Sequence, residues 1–338
     1  MRGTILHAPG DVRVEDRADP TVREPTDAII RTVATCVCGS DLWPYRGLDK
    51  VEQPRAIGHE YVGIVEEVGS QVGRISKGQF VIGGFYASDG TCPHCRAGFQ
   101  FSCQNGSGFD GCQSEYIRIP QADGTLFATP ELPDDDLIPS LLTLSDVMST
   151  GWHAAVTAGV RPGMTVAVVG DGAVGLSAVL AAAQLGAERV IAMSRHASRQ
   201  QLATEFGATD IIAERGDDGV AKIMELTSGV GGDAVCEAVG TAESMLQAIR
   251  TVRPGGMVGC VGVPHDVELP AQEMFFRNVG FKGGPASVPQ YLPHLLDRVW
   301  NRRIEPGKVF DLELPLEQVA DGYRAMDERK AIKTLLRP

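Results

Sequence analysis

The sequence predicts an α/β chain in two parts: a mainly β region at the N-terminus, then a doubly wound parallel-sheet domain, followed by a C-terminal segment. Three observations carry this. Up to about residue 147, short β-type runs alternate with Gly- and Pro-rich turns. From about 148, apolar strand-like runs alternate with helix-like runs of ten to fifteen residues, the pattern of βαβ units and a parallel sheet. Finally, 338 residues exceed one ordinary core, so more than one domain is expected. The expected boundaries are 1–147, 148–284 and 285–338.

In the first part AIIRTVAT, YVGIVEEVG, QFVIGGF and SEYIRIP read as strands. In the second, TVAVVG is an apolar strand, AVGLSAVLAAAQLG a helix and RVIAMS the next strand. The alternation continues through QQLATEFG, TDIIA, VAKIMELTSG, DAVCEAVG, ESMLQAIRTV and GMVGCVGV. The last segment has helical patterns at YLPHLLDRVWN and LEQVADGYRAM and a closing strand, IKTLLR. There is no internal repeat and no low-complexity linker.

Apolar content of 43% and charged content of 22% belong to a globular protein in water. A net charge of −12 argues against a nucleic-acid partner, which needs clustered Lys and Arg. MRGTILHAPGDVRVED lacks the apolar run and cleavage site of a signal peptide. The most apolar stretch, TVAVVGDGAVGLSAVLAAAQLGA, is broken by Asp171 and several glycines, which argues against a membrane span. Eight cysteines without a secretory signal point to thiols in a reducing, cytoplasmic compartment, used as metal ligands rather than disulfides.

GDGAVG, Gly170 to Gly175, matches GxGxxG between a strand and a helix. Gly170, Gly172 and Gly175 permit the turn, a close approach to a pyrophosphate and tight helix packing. Ala173 and Val174 open a helix whose N-terminus favours an anion. This is the signature of a Rossmann dinucleotide site. An NAD site usually has an acid at the end of the second strand, for the ribose 2′-hydroxyl. Here Ser194 stands there, followed by Arg195 and His196. A hydroxyl and a guanidinium suit a 2′-phosphate, which favours NADP(H) over NAD(H).

IGHEYVGIVEEVG sets His59 and Glu60 just before a strand. With Cys38 in CVCGSDLW and Asp146 in LSDVMSTG, His59 could complete a sulfur, nitrogen and oxygen set that zinc accepts at a catalytic site. The CGSD text, the GHE turn, the cysteine-rich lobe and the late GxGxxG, in that order, resemble the zinc-containing alcohol dehydrogenases of the medium-chain dehydrogenase/reductase superfamily. The resemblance runs along the whole chain. It implies a GroES-like catalytic domain to which the C-terminal segment returns, with a cleft between that domain and the Rossmann domain. It implies catalytic zinc on Cys38, His59 and Asp146, with Glu60 behind the metal. Ser40 matches the hydroxyl that takes the alcohol proton, and Asp41 the carboxylate that orients the zinc histidine. Where the family often has a His completing a proton relay, this chain has Trp43. Trp43 and Phe85 are expected to line the substrate pocket, or else to pack in the core.

In DGTCPHCRAGFQFSC, Cys92, Cys95 and Cys103 reproduce the last three ligands of the family's structural zinc lobe, with Asp89 in first position. Asp89 as the fourth ligand, His94 in its place, or a vacated site are the alternatives. His94 sits between two cysteines and is expected to point away. Lys333 matches a basic residue that reaches the cofactor pyrophosphate. The resemblance also implies a homotetramer, with the strand near GMVGCVGV as the sheet edge pairing between subunits. The implied reaction is hydride transfer between NADP(H) and an alcohol or carbonyl substrate. A zinc-free quinone or enone reductase, or a non-enzymatic nucleotide-binding protein, are the rival readings.

Overall fold

A computed structural model of the chain describes residues 1–338. Two compact units emerge: Met1–Asp146 with Ser287–Pro338, and Val147–Ala286.

The first unit is built on a seven-stranded sheet. Its path runs Leu126–Ala128, Phe80–Gly83, Tyr61–Val68, Ala28–Cys36, Lys333–Arg337 and Phe310–Pro315, and Tyr116–Ile119 also pairs with Ala28–Cys36. The C-terminal strand is antiparallel to Ala28–Cys36, with Leu335 opposite Cys36. That pairing sets Lys333 beside the chain leaving the strand toward Cys38. One face closes over Ala28, Ile30, Tyr61, Val65, Val81 and Ile117, all buried, so the alternating apolar residues of each strand point into a shared core. Arg2–Ala8 and Asp11–Asp16 form a hairpin absent from the sequence reading. Its residues Leu6 and Val12 pack with Leu316, Val319 and Tyr323 from the C-terminal segment.

The second unit is a six-stranded, all-parallel sheet. Its spatial order is Asp210–Ile212, Arg189–Met193, Thr165–Val169, Gly232–Glu237, Val252–Cys260 and Gly280–Gly283. The chain begins in the middle, builds outward one way and returns to build the other way. This places the glycine loop after Thr165–Val169 at the switch in strand order, where α/β sheets take their ligands. The strands are buried on both faces, which explains their continuous apolar runs.

One expectation is corrected. The GMVGCVGV strand is not a sheet edge, because Val252–Cys260 pairs on both sides. Gly280–Gly283 is the edge, a short glycine-bounded stretch with too little apolar alternation to stand out in the sequence.

Candidate active site

His59 and Glu60 leave a turn that only glycine fits. Gly58 has φ +97°, and a Cβ there would meet Gln113 Cγ at 2.5 Å. Cys38 follows the strand Ala28–Cys36, and its N–H donates to Asp41 Oδ2 at 2.9 Å. Asp146 ends the turn after the helix Ile138–Thr143. Its neighbour Ser145 pins that turn to the sheet, donating to Gly83 O at 2.6 Å and accepting from Tyr61 N–H at 3.2 Å.

These elements bring Cys38, His59, Glu60 and Asp146 together, with one ligand atom from each within 4.8 Å of the others. Cys38 Sγ lies 3.5 Å and His59 Nε2 3.3 Å from Asp146 Oδ2. Glu60 is fully buried; its Oε1 accepts from Lys333 Nζ at 2.6 Å, while its Oε2 has no hydrogen-bond partner. A buried carboxylate oxygen without a partner is costly, and a cation is one way to satisfy it. Without a cation, burial pushes both the Cys38 thiol and the Glu60 carboxyl up. Burial pulls His59 down, but Cys38, Asp41 and Asp146 outweigh it and hold the imidazole well above its usual range. Two acidic groups pushed toward their neutral forms by burial, beside the Asp146 carboxylate and an imidazole, form a donor set that a divalent ion fits, since its charge favours the ionised forms.

Around this set, Asp41 Oδ1 lies 3.4 Å from His59 Nδ1, leaving Nε2 toward the cluster. Asp41 is itself held by Gln113 Nε2 at 3.2 Å, and Gln113 exchanges hydrogen bonds with the buried Tyr323 hydroxyl. Neither Gln113 nor Tyr323 was legible in the sequence, because an isolated Gln or Tyr has no spacing signal. Phe85 meets the His59 ring edge-on at 6.1 Å between centroids, and Trp43 is half-buried. Ser40 is exposed one residue before Asp41.

Lys333 has a different place from the one the resemblance implies. Its side chain is 1% exposed, and besides Glu60 it donates to Val37 O at 3.2 Å. The ammonium is committed beneath the cluster rather than offered to a pyrophosphate, because register with Ala28–Cys36 turns it inward.

In the cysteine-rich lobe, Asp89, Cys92, Cys95 and Cys103 also present ligand atoms within 4.8 Å of one another. The Cys92 thiol is drawn down to about 7, chiefly by the Gln104 backbone N–H. Burial opposes ionisation of Asp89, yet the N–H groups of Cys92 and Thr91 and the Asn105 amide hold its carboxyl well below the usual range. His94 Nδ1 lies 2.6 Å from Ser102 O, so that nitrogen is committed to the backbone.

In the second unit the GDGAVG loop makes a tight cradle. Gly170 has φ +122°, and a Cβ on Gly175 would meet Gly170 O at 2.0 Å, whereas one on Gly172 would meet nothing within 4 Å. Open space over Gly172, at the N-terminus of the helix Ala173–Gln184, fits a pyrophosphate. Ser194 departs from expectation: it is buried, and its hydroxyl donates to Asp171 Oδ2 at 3.0 Å. With its single proton committed, it is not a free donor to a phosphate. Arg195 is exposed, and His196 Nε2 is buried without a partner.

Comparison with known proteins decides the family. Residues 24–131 match the alcohol dehydrogenase GroES-like domain and 173–301 the zinc-binding dehydrogenase domain. Zinc-type alcohol dehydrogenase B of Aspergillus flavus is 33% identical over 351 residues, covering 100% of this chain and 81% of that protein. The chain belongs to the zinc-containing alcohol dehydrogenases. It is an oxidoreductase of the medium-chain dehydrogenase/reductase superfamily, and its GroES-like and Rossmann parts are those of that family. The alcohol dehydrogenase TADH from Thermus sp. ATN1 superposes with a TM-score of 0.91 at 33% identity, over 100% of this chain and 99% of that one. A dehydrogenase described as zinc-binding, from Sinorhizobium meliloti 1021 and solved with NADP, gives 0.84 at 28% identity over 100% and 99%. No helix is long and apolar enough to cross a membrane.

Proposed function

We propose that this alcohol dehydrogenase transfers hydride reversibly between NADP(H) and a small alcohol or carbonyl substrate, with zinc held by Cys38, His59 and Asp146. The observation that carries the reading is the buried cluster with its unpartnered Glu60 Oε2. Zinc would supply Lewis acidity at the substrate oxygen, and the nicotinamide would accept or give the hydride. The chain's own residues do the rest. Asp41 fixes the His59 ring so that Nε2 faces the cluster. Glu60 lies behind the ligands, its charge balanced by Lys333. Ser40 takes the proton from the alcohol hydroxyl and, in reduction, returns it. Phe85 and Trp43 wall the substrate side.

Gly170, Gly172, Ala173, Val174 and Gly175 hold the pyrophosphate, and Arg195 with His196 receives the 2′-phosphate. A second zinc sits on Asp89, Cys92, Cys95 and Cys103 as a structural clamp, and the working form is a cytoplasmic homotetramer. The test is a carbonyl and alcohol panel assayed with both cofactors, before and after dialysis against a strong chelator. Activity should vanish on metal removal and return with zinc. NADPH should exceed NADH by at least about tenfold in kcat/KM, as expected for a charge-assisted phosphate contact. Full activity in metal-free protein sinks the zinc reading, and equal cofactor efficiency sinks the NADP reading.

A further inference from the structure

One side chain of the cysteine lobe packs toward the candidate active site. Phe101 lies in the turn Gln100–Ser102, two residues before Cys103, and is half-buried. Its ring meets Phe85 at 5.9 Å and Tyr86 at 4.6 Å between centroids, so two consecutive aromatic side chains hold it. Phe85 in turn meets His59 edge-on at 6.1 Å, and the rings form a row from His59 through Phe85 to Phe101. All three spacings fall within the range of about 4.5–7 Å that aromatic pairs prefer. The support around this row is close-packed. The Phe101 N–H donates to Ser287 Oγ at 3.4 Å, and a Cβ on Gly84 would meet Val288 Cβ at 3.1 Å. One end of the helix Val288–Trp300 thus backs both the lobe turn and the chain entering Phe85. On the lobe side, a Cβ on Gly106 would meet Tyr86 Cε1 at 2.6 Å and Cys103 Cβ at 2.9 Å.

We propose that Phe101 is a specificity-determining residue for the substrate: it holds Phe85 in place beside His59, so that the cysteine lobe sets the width of the substrate side. The inference rests on the reading of Phe85 as a wall of that side. A phenyl ring swings about two side-chain torsions and stays where its neighbours confine it. Backbone pairing gives Phe85 little of that confinement, because the strand after it, Tyr86–Ala87, is two residues long and pairs only with Ser107–Gly108. Phe99, two residues earlier in the lobe, is 52% exposed, so the hold on Phe85 belongs to Phe101 rather than to the apolar surface of the lobe at large. His59 is fixed independently by Asp41, and Asp146 by the turn that Ser145 pins to the sheet. A change at Phe101 should therefore reach the choice of substrate without reaching the ligand set. Without the Phe101 ring, Phe85 falls back into the space and the substrate side widens. A purely structural role, tying lobe to sheet, would lower the melting temperature and leave the choice among substrates unchanged.

Steady-state kinetics on a bulky and a small alcohol that wild type oxidises, with benzyl alcohol and ethanol as the first pair, separates these cases. The ratio of the two kcat/KM values cancels any loss common to both. Phe101→Ala should raise the ratio of bulky to small by about tenfold, the lower end of what one methylene of pocket space is worth, while KM for the cofactor stays within about twofold. Phe101→Tyr keeps the ring and should leave the ratio within about twofold of wild type. In a Phe85→Ala background, Phe101→Ala should move the ratio by less than about twofold, because Phe101 acts through Phe85. A ratio unchanged or lowered by Phe101→Ala, or an effect of full size in the Phe85→Ala background, overturns the proposal. If Phe101→Ala does not fold, Phe101→Leu decides in its place: a rise of at least about threefold supports the proposal, and a smaller change contradicts it. Failure of the reading of Phe85 as a wall shows up separately, as a ratio that Phe85→Ala alone leaves unchanged.

Discussion

The buried cluster of Cys38, His59, Glu60 and Asp146 and the cysteine lobe each bring four possible ligand groups within 4.8 Å of one another, yet they are built in different ways. Cys38, His59 and Asp146 come from three distant segments, and their convergence depends on the whole sheet of the first unit. Asp89, Cys92, Cys95 and Cys103 come from one local stretch. The carboxylates differ as well. Glu60 is buried with one oxygen unpartnered and the other on a buried lysine, whereas both Asp89 oxygens are engaged by backbone and amide donors. A site assembled by the fold keeps unmet polar demand in its interior, which a ligand can answer. A site assembled by a turn meets its own demand from the donors beside it.

The largest effect should follow from breaking the buried pair of Glu60 and Lys333 beside Cys38 and Asp146. Lys333→Met leaves Glu60 buried beside Cys38 and Asp146 without its ammonium, and removing one partner of a buried pair costs about 3–5 kcal/mol. Denaturant unfolding should show that loss, and adding Glu60→Gln should recover more than half of it. A loss under about 1 kcal/mol would mean that the pair is relaxed by water, and the contrast with the lobe would weaken.

A smaller effect tests the positioning shell. Asp41→Asn keeps the shape but weakens the grip on His59 Nδ1 and on the Cys38 N–H. Losses of about 10- to 100-fold in kcat/KM and in zinc retention against a chelator are expected, as for other partners that orient a metal ligand. Unchanged values would show that the turn alone orients the imidazole.

Sequence reading reached the central strands of the second unit because they are apolar on both faces and bounded by glycine or polar turns. It did not reach the edge Gly280–Gly283 or the helix Ala271–Arg277, whose residues are half-exposed or exposed. It joined Cys38, His59 and Asp146 only through the family resemblance, and the fold brings their side-chain ligand atoms within 4.8 Å of one another. It did not reach the Lys333 environment, which depends on the register between strands about 300 residues apart in the chain. Ser194 was misassigned for a similar reason: its partner Asp171 lies one strand away, and pairing across strands leaves no local pattern. A signal was present all the same, since a charged residue inside a glycine phosphate loop is unusual for a turn that receives an anion. The hairpin Arg2–Ala8 with Asp11–Asp16 was passed over because its alternation is short and interrupted by charges.

Counting zinc per subunit in wild type, Cys38→Ala and Asp89→Ala, with activity and melting temperature, decides whether the two clusters are zinc sites of different kinds. Wild type should hold two ions and each variant one. Cys38→Ala should lose activity by about a thousandfold with little change in melting, since Lewis acidity is worth several kcal/mol to the reaction. Asp89→Ala should keep catalytic zinc but melt at least about 4 °C lower, because structural zinc contributes to folding directly. A single zinc in carefully prepared wild type, or a Cys38→Ala variant that retains both zinc ions and its activity, would contradict the account.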